Sequence, residues 1–150
     1  TTLSKSRQLA GGRIGLAFAS REIVCDLNKI RYSFNPYNLD RAAIAAGAAA
    51  LLDGEYFDRT RNAVAAERER LKERLSSLGF AVSPSLANFV LARREGISGE
   101  ELYKQLKARG VLVRYLGGDL SDYVRITVGS ADECDVLIEA VQEIIKEKNI

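Results

Sequence analysis

Apolar residues recur at helical spacing in "SREIVCDLNKIR", where Ile23, Leu27 and Ile30 share one side and Ser20 occupies the N-cap position. From Asp40, "DRAAIAAGAAALLDG" predicts a second helix, because alanine has the highest helix propensity and allows close packing; Gly54 is expected to end it. Between Glu55 and Leu78 a charged stretch keeps Val64, Leu71, Leu75 and Leu78 on one stripe. That pattern suits a long connecting helix between two subdomains, capped by Gly79. Further on, "SGEELYKQLKARG" and "SADECDVLIEAVQEIIKEKN" each begin with capping-box spacing, Ser98 with Glu101 and Ser130 with Glu133. In the last helix Val136, Ala140, Val141, Ile144 and Ile145 are expected on the inner side.

Short apolar runs of strand length separate these helices: "RIGLAFA" near the start, then "NFVLA", "VLVRYL" and "YVRITV". The fold class expected is α/β. Residues 1–54 read as the end of a larger mixed-sheet domain, and residues 55–150 as the connecting helix with a small C-terminal α+β subdomain. The opening "TTLSK", with no methionine, is expected to be a piece cut from a longer chain.

Charge and composition then remove whole classes of function. Twenty-two basic and 20 acidic residues leave a net charge of +2, so nothing supports a nucleic acid partner or an anionic membrane surface. No apolar run is long enough to cross a bilayer, and the first residues lack the order of a signal peptide, so a cytoplasmic protein is expected. Cys25 and Cys134 belong to no metal or redox motif; both are expected to be small buried apolar residues, and no metal site is expected. The complete absence of histidine excludes Ser-His and Cys-His nucleophile pairs and the commonest general base. Any chemistry must fall to Lys, Arg, Asp, Glu, Tyr or a cofactor.

Lys5, flanked by Ser4 and Ser6, and Arg13, beyond a Gly-Gly turn, are the first candidates, although a lysine beside serines is ordinarily a solvated charge. Arg114 in "VLVR" and Arg125 in "VRITVG" are the second pair, with outward, solvated strand positions as the plain alternative. Asn35 reads as an Asx-turn residue, and Asn88 as a structural polar contact.

Ser4, Lys5, Leu9, Ala10, Gly11, Arg13 and Gly15 together form Ser-Lys followed by Leu-Ala-Gly-x-Arg-x-Gly. This pattern resembles the lysine motif of fold type I pyridoxal-phosphate aminotransferases, most closely the histidinol-phosphate aminotransferases. "SPSLANFVLAR", "VLVR" and "VRITVG" before an acidic helix start follow in the order of that family's C-terminal subdomain, so the resemblance spans essentially the whole chain.

The resemblance implies a role for each candidate. Lys5 would carry pyridoxal 5'-phosphate through its amine and, once displaced by the substrate's amine, would move a proton. Arg13, Ser4 and Thr2 would hold the cofactor's phosphate, and Arg114 and Arg125 the anionic end of the substrate. Two guanidiniums converging on one oxyanion suit a phosphate better than a single carboxylate, which favours a phosphorylated amine exchanging its amino group with a 2-oxo acid, 2-oxoglutarate. Related decarboxylases and aromatic or aspartate aminotransferases use the same residues and stay open, as does a non-catalytic α+β interaction module. A homodimer is implied for the parent. The upstream aspartate that such enzymes set against the pyridine nitrogen is absent, so the 150 residues alone are expected to be inactive and to bind the cofactor weakly. Gly12 replaces a larger apolar residue usual in the family and is expected to loosen the turn that aims Arg13.

Overall fold

The computed structural model describes residues 1–150. Five α-helices and a four-stranded antiparallel sheet, in the order β1 (Ala81–Val82), β2 (Phe89–Arg93), β4 (Val124–Thr127), β3 (Arg114–Tyr115), make up the chain, which divides into two compact units, Thr1–Arg61 and Asn62–Ile150. The division falls inside the third helix.

The first unit holds α1 (Arg21–Phe34) and α2 (Arg41–Leu52). Ser20 caps α1 by accepting from the Ile23 amide, as its position predicts, but α1 buries no residue at all. Ile23 is 54% exposed and Phe34 91%, so the apolar stripe that defines this helix has no partner within the unit. Cys25 is exposed here, against the buried setting expected of it, because no residue of this helix is buried. Asn35 forms the expected Asx turn, its Oδ1 accepting from the Tyr37 amide at 3.2 Å.

Asp40 caps α2, accepting from the Ala43 amide at 2.6 Å. Gly54 does not end this helix: Asp53 does, and its carboxylate accepts from the Tyr56 amide at 3.0 Å to begin α3 (Gly54–Ser77) immediately afterwards. One aspartate therefore closes one helix and opens the next.

"RIGLAFA" forms no strand. Only Gly15 pairs, in an isolated antiparallel bridge with Thr2, and residues 16–20 have no regular structure. A strand needs a ladder to satisfy its amides, and within this unit Thr1–Leu3 is the sole neighbour offering one.

The second unit contains the rest of α3, β1 (Ala81–Val82), β2 (Phe89–Arg93), α4 (Gly99–Ala108), β3 (Arg114–Tyr115), β4 (Val124–Thr127) and α5 (Ala131–Lys148). Gly79, at φ +81°, caps α3 in a Schellman turn in which the Phe80 amide donates to the Leu75 carbonyl at 3.1 Å. Phe80 is drawn into the core by that reversal.

Alternation along the strands sends Val90, Ala92, Val124 and Ile126 into the core, where Leu102 and Leu106 of α4 and Leu137, Ile138, Val141 and Ile144 of α5 meet them. Leu71 and Leu75 of α3 complete this core with no exposed surface, each contributing about 1.5–3 kcal/mol on burial. Phe89, Leu91 and Arg125, half-buried, lie on the opposite face. "VLVRYL" contributes only two paired residues, Arg114 and Tyr115, as an edge strand.

The capping box at Ser130 forms in full, the Glu133 carboxylate accepting from the Ser130 amide at 2.8 Å. At Ser98 only half of it forms. The hydroxyl accepts from the Glu101 amide at 3.2 Å, but the Glu101 carboxylate turns to Gln105, 2.9 Å away, and to Lys148, 3.1 Å away. Val136 is 54% exposed and lies outside the inner face, which Cys134, buried as expected, and Leu137 occupy instead.

Glu67, Arg70, Arg74 and Asp135 clamp α3 to α5. Arg70 donates to Glu67 at 2.8 Å and to Asp135 at 2.8 Å, and Arg74 also reaches Asp135. The Arg70 hydrogen bonds hold both carboxyls below their ordinary pKa range.

Candidate functional site

Lys5 lies at the tip of a loop that begins and ends on two buried residues, Leu3 and Ile14. The Leu3 amide donates to the Ile14 carbonyl at 3.1 Å, closing the loop, and the Leu9 amide returns to the Leu3 carbonyl at 3.0 Å. Both anchors pack on Gly47 of α2, where a Cβ would stand only 2.8 Å from Ile14 Cδ1. That close approach explains a glycine in the middle of an alanine helix.

Arg7 fastens the loop from another side. Its guanidinium donates to the Ala50 carbonyl at 2.7 Å and the Asp53 carbonyl at 3.2 Å, and lies 3.8 Å from the Phe57 ring centroid. Gln8 accepts from the Tyr56 hydroxyl at 2.9 Å. These contacts fix the neighbours of Lys5 and leave Lys5 itself exposed, without a hydrogen bond or ion pair on its amine.

Gln8 and Arg13 both adopt left-handed backbone, φ +57° and +52°, conformations that cost a non-glycine residue about 1 kcal/mol or more. Gly11 and Gly12, immediately before Arg13, do not take this conformation; the arginine does. Arg13 is exposed and donates to the Ala10 carbonyl at 3.0 Å. Within this turn the Gly12 amide donates to the Leu9 carbonyl at 3.1 Å, and a Cβ there would meet Ile14 at an ordinary 3.5 Å.

Thr2 and Ser4 sit at the loop's entrance. The Thr2 hydroxyl accepts from the Ser4 amide at 3.1 Å and lies 2.9 Å from the Ser4 hydroxyl. Thr2, Ser4, Lys5 and Arg13 thus share one loop, in which Lys5 follows the single bridge residue Thr2.

Arg114 and Arg125 are placed together in the second unit, directly opposite one another on β3 and β4. Like charges in facing positions of an antiparallel pair are destabilising, and no acidic residue pairs with either arginine. Arg114 is exposed, whereas Arg125 is half-buried, with Leu91 of β2 facing it on its other side. Its Nε is buried without a hydrogen-bond partner, an uncommon state for a charged donor. The arrangement can accept an anion and leaves donors ready for one.

Neither Phe89 nor Arg7 stands out in the sequence. Strand alternation puts Phe89 and Leu91 on one face, but only the pairing register brings that face to Arg125. Nothing in the order of residues shows that Arg7 reaches the end of α2.

The sequence matches the family aminotransferase class I and II over residues 1–141. It is 46% identical over 146 residues to a histidinol-phosphate aminotransferase of Chromohalobacter salexigens, covering 97% of this chain and 42% of that protein. It is 47% identical to that of Aromatoleum aromaticum, covering 97% of this chain and 41% of that protein. A crystal structure of histidinol-phosphate aminotransferase from Sinorhizobium meliloti in complex with pyridoxal-5'-phosphate superposes with a TM-score of 0.85 at 30% identity, covering 97% of this chain and 40% of that one. The chain spans about two-fifths of the length of the curated relatives it matches. A loop built around a free lysine and an arginine, together with a pair of facing arginines on a small sheet, thus sits in a sequence that matches one family nearly throughout, and the chain belongs to the aminotransferase class I and II family.

Proposed function

We propose that these residues are the C-terminal portion of a pyridoxal-phosphate-dependent aminotransferase that transfers an amino group between histidinol phosphate and 2-oxoglutarate. Residues 1–54 then end its cofactor domain, and α3 with the residues after it forms the small subdomain. The same reading has the parent working in the cytoplasm as a homodimer; no helix here is long and apolar enough to cross a membrane. Family membership replaces the non-catalytic module as an explanation of the chain.

The residues present suit the cofactor. A phosphorylated aldehyde needs a primary amine to capture it and donors for its phosphate, and the loop offers the uncommitted Lys5 amine, the Thr2 and Ser4 hydroxyls and Arg13. Pyridoxal phosphate supplies, when bound, an aldehyde that captures amines and a ring that accepts electron density from the substrate's α-carbon. Lys5 would hold it through its amine and would move a proton at the substrate's α-carbon. Arg13, Ser4 and Thr2 bind the phosphate. Arg114 and Arg125 orient the substrate through its anionic end.

The observation that carries the substrate assignment is the facing pair Arg114 and Arg125, unpaired with any acid. Two adjacent guanidiniums offer forked donors to a phosphate, with more oxygens and more charge than one carboxylate. The test uses the full-length enzyme purified with pyridoxal phosphate. It should show a visible band that borohydride bleaches, and Lys5→Ala should lose both the band and about 10²–10⁴-fold of turnover. Retention of the band by Lys5→Ala overturns the assignment. The 150 residues alone should show no turnover.

A further inference from the structure

Arg125 has a burial problem that its neighbours solve in an unusual way. Arg125 is half-buried on the sheet face it shares with Phe89 and Leu91, and its Nε is shielded from water without a hydrogen-bond acceptor. A guanidinium with a shielded N–H is ordinarily held by a carboxylate. Here the ring of Phe89 stands against it, its centroid 5.2 Å from Arg125 Cζ. Phe89 starts β2 and pairs with Thr127, which sets its ring diagonally beside Arg125 on the same face.

Phe89 is in turn fixed from behind. Ser85 donates its hydroxyl to the Phe89 carbonyl at 2.6 Å, the Val128 amide donates to the Asn88 carbonyl at 2.9 Å, and Arg68 of α3 donates to the Ala87 carbonyl at 3.2 Å. Arg68 is the one buried charged residue of the chain, and it is used on this turn. Arg68 of α3 and Val128, just after β4, therefore converge on the short segment that aims one ring, with Ser85 bracing it from within.

We infer that Phe89 is a positioning residue for substrate binding: its ring face holds the Arg125 guanidinium by a cation–π contact in place of an acid. The inference rests on the proposed role of Arg125. A carboxylate at that place would fix the guanidinium equally well, but it would take up its donors and cancel its charge before an anion arrived. An aromatic face attracts the cation through its quadrupole and uses no N–H, so the guanidinium stays both oriented and available. A leucine would fill similar space without that attraction.

The test compares Arg125→Ala, Phe89→Leu and Phe89→Tyr in the full-length enzyme, measuring KM for histidinol phosphate and the inhibition constant of inorganic phosphate. Phe89→Leu should raise both constants about three- to tenfold with kcat and the cofactor's absorbance retained, and Phe89→Tyr should stay close to the parent. In the Arg125→Ala background Phe89→Leu should add nothing further. Because Phe89→Leu could also disturb the strand, a series with one to three ring fluorines at position 89 supplies an independent readout: affinity for phosphate should fall stepwise as the ring quadrupole weakens. A flat fluorine series, or a Phe89→Leu enzyme that loses kcat and cofactor together with KM, overturns the inference. If Arg125→Ala itself leaves both constants unchanged, it is the proposed role of Arg125 that fails.

Discussion

Thr1–Arg61 buries only Leu3, Ile14 and Gly47, whereas Asn62–Ile150 encloses a continuous core from Leu71 to Ile144. The first unit has helices with well-formed caps and almost nothing to pack them against. Its order comes from polar fastenings, Arg7 on the end of α2 and Asp53 between two helices. The second unit has the opposite economy: ordinary strands, two of them only two residues long, held by helices that share one apolar interior. Capping and propensity mark where a helix begins and ends, but helices of 14 and 12 residues are marginal without a partner, and burial of side chains is what makes a unit cooperative.

The strongest way to break this contrast is to remove a side chain from the better-packed half. Leu71→Ala should destabilise the second unit by about 2–5 kcal/mol, read by chemical denaturation of the 150-residue chain, because Leu71 is fully enclosed and its neighbours come from several elements. A loss below about 1 kcal/mol would mean that the cluster is not cooperative. Hydrogen exchange in α1 should be unchanged by the substitution.

A gentler test strikes the other half. Gly47→Val should cost about 1–3 kcal/mol locally, since its first carbon already falls 2.8 Å from Ile14 Cδ1 and the added methyls crowd Leu3 as well. Exchange should accelerate in the Leu3–Ile14 loop and in α2, with the sheet unaffected. Gly47→Ala should be far milder, because Ile14 can turn its terminal methyl aside while the helix gains in propensity.

Acidification gives the smallest effect and the sharpest division between the halves. Glu67 and Asp135 have folded pKa values below their reference values of 4.5 and 3.8, chiefly through hydrogen bonds from Arg70. A depressed carboxyl stabilises the fold at pH above its unfolded value and loses that contribution as pH falls through the folded one. The second unit should therefore soften progressively below about pH 4.5, with a shallower acid slope in Glu67→Gln. An unchanged slope in that variant would remove the α3–α5 clamp from the account of stability.

Much of the helical framework was legible because its signals are local. Ser20, Asp40, Ser98 and Ser130 each accept from the amide three residues on, and Gly79 reverses the chain where a left-handed residue was needed. What failed depended on distant partners. "RIGLAFA" has strand composition without a strand beside it, and Cys25 has a buried residue's chemistry on a helix that packs on nothing in its unit. Glu101 has capping-box spacing but finds Gln105 and Lys148 closer to hand. Of the candidate site, the Ser-Lys motif and both strand arginines were visible as residue types in order. The facing of Arg114 and Arg125, the strained backbone at Arg13 and the ring beside Arg125 were not, because pairing register and loop closure are set by contacts far apart in the chain.

The facing arginines carry a consequence for how affinity and folding are linked. Like charges directly opposite one another weaken the pairing of β3 with β4. If the two arginines take the anionic end of the substrate as proposed, the anion would relieve that repulsion as well as add its own hydrogen bonds, and the edge strand should become harder to peel away as ligand is added.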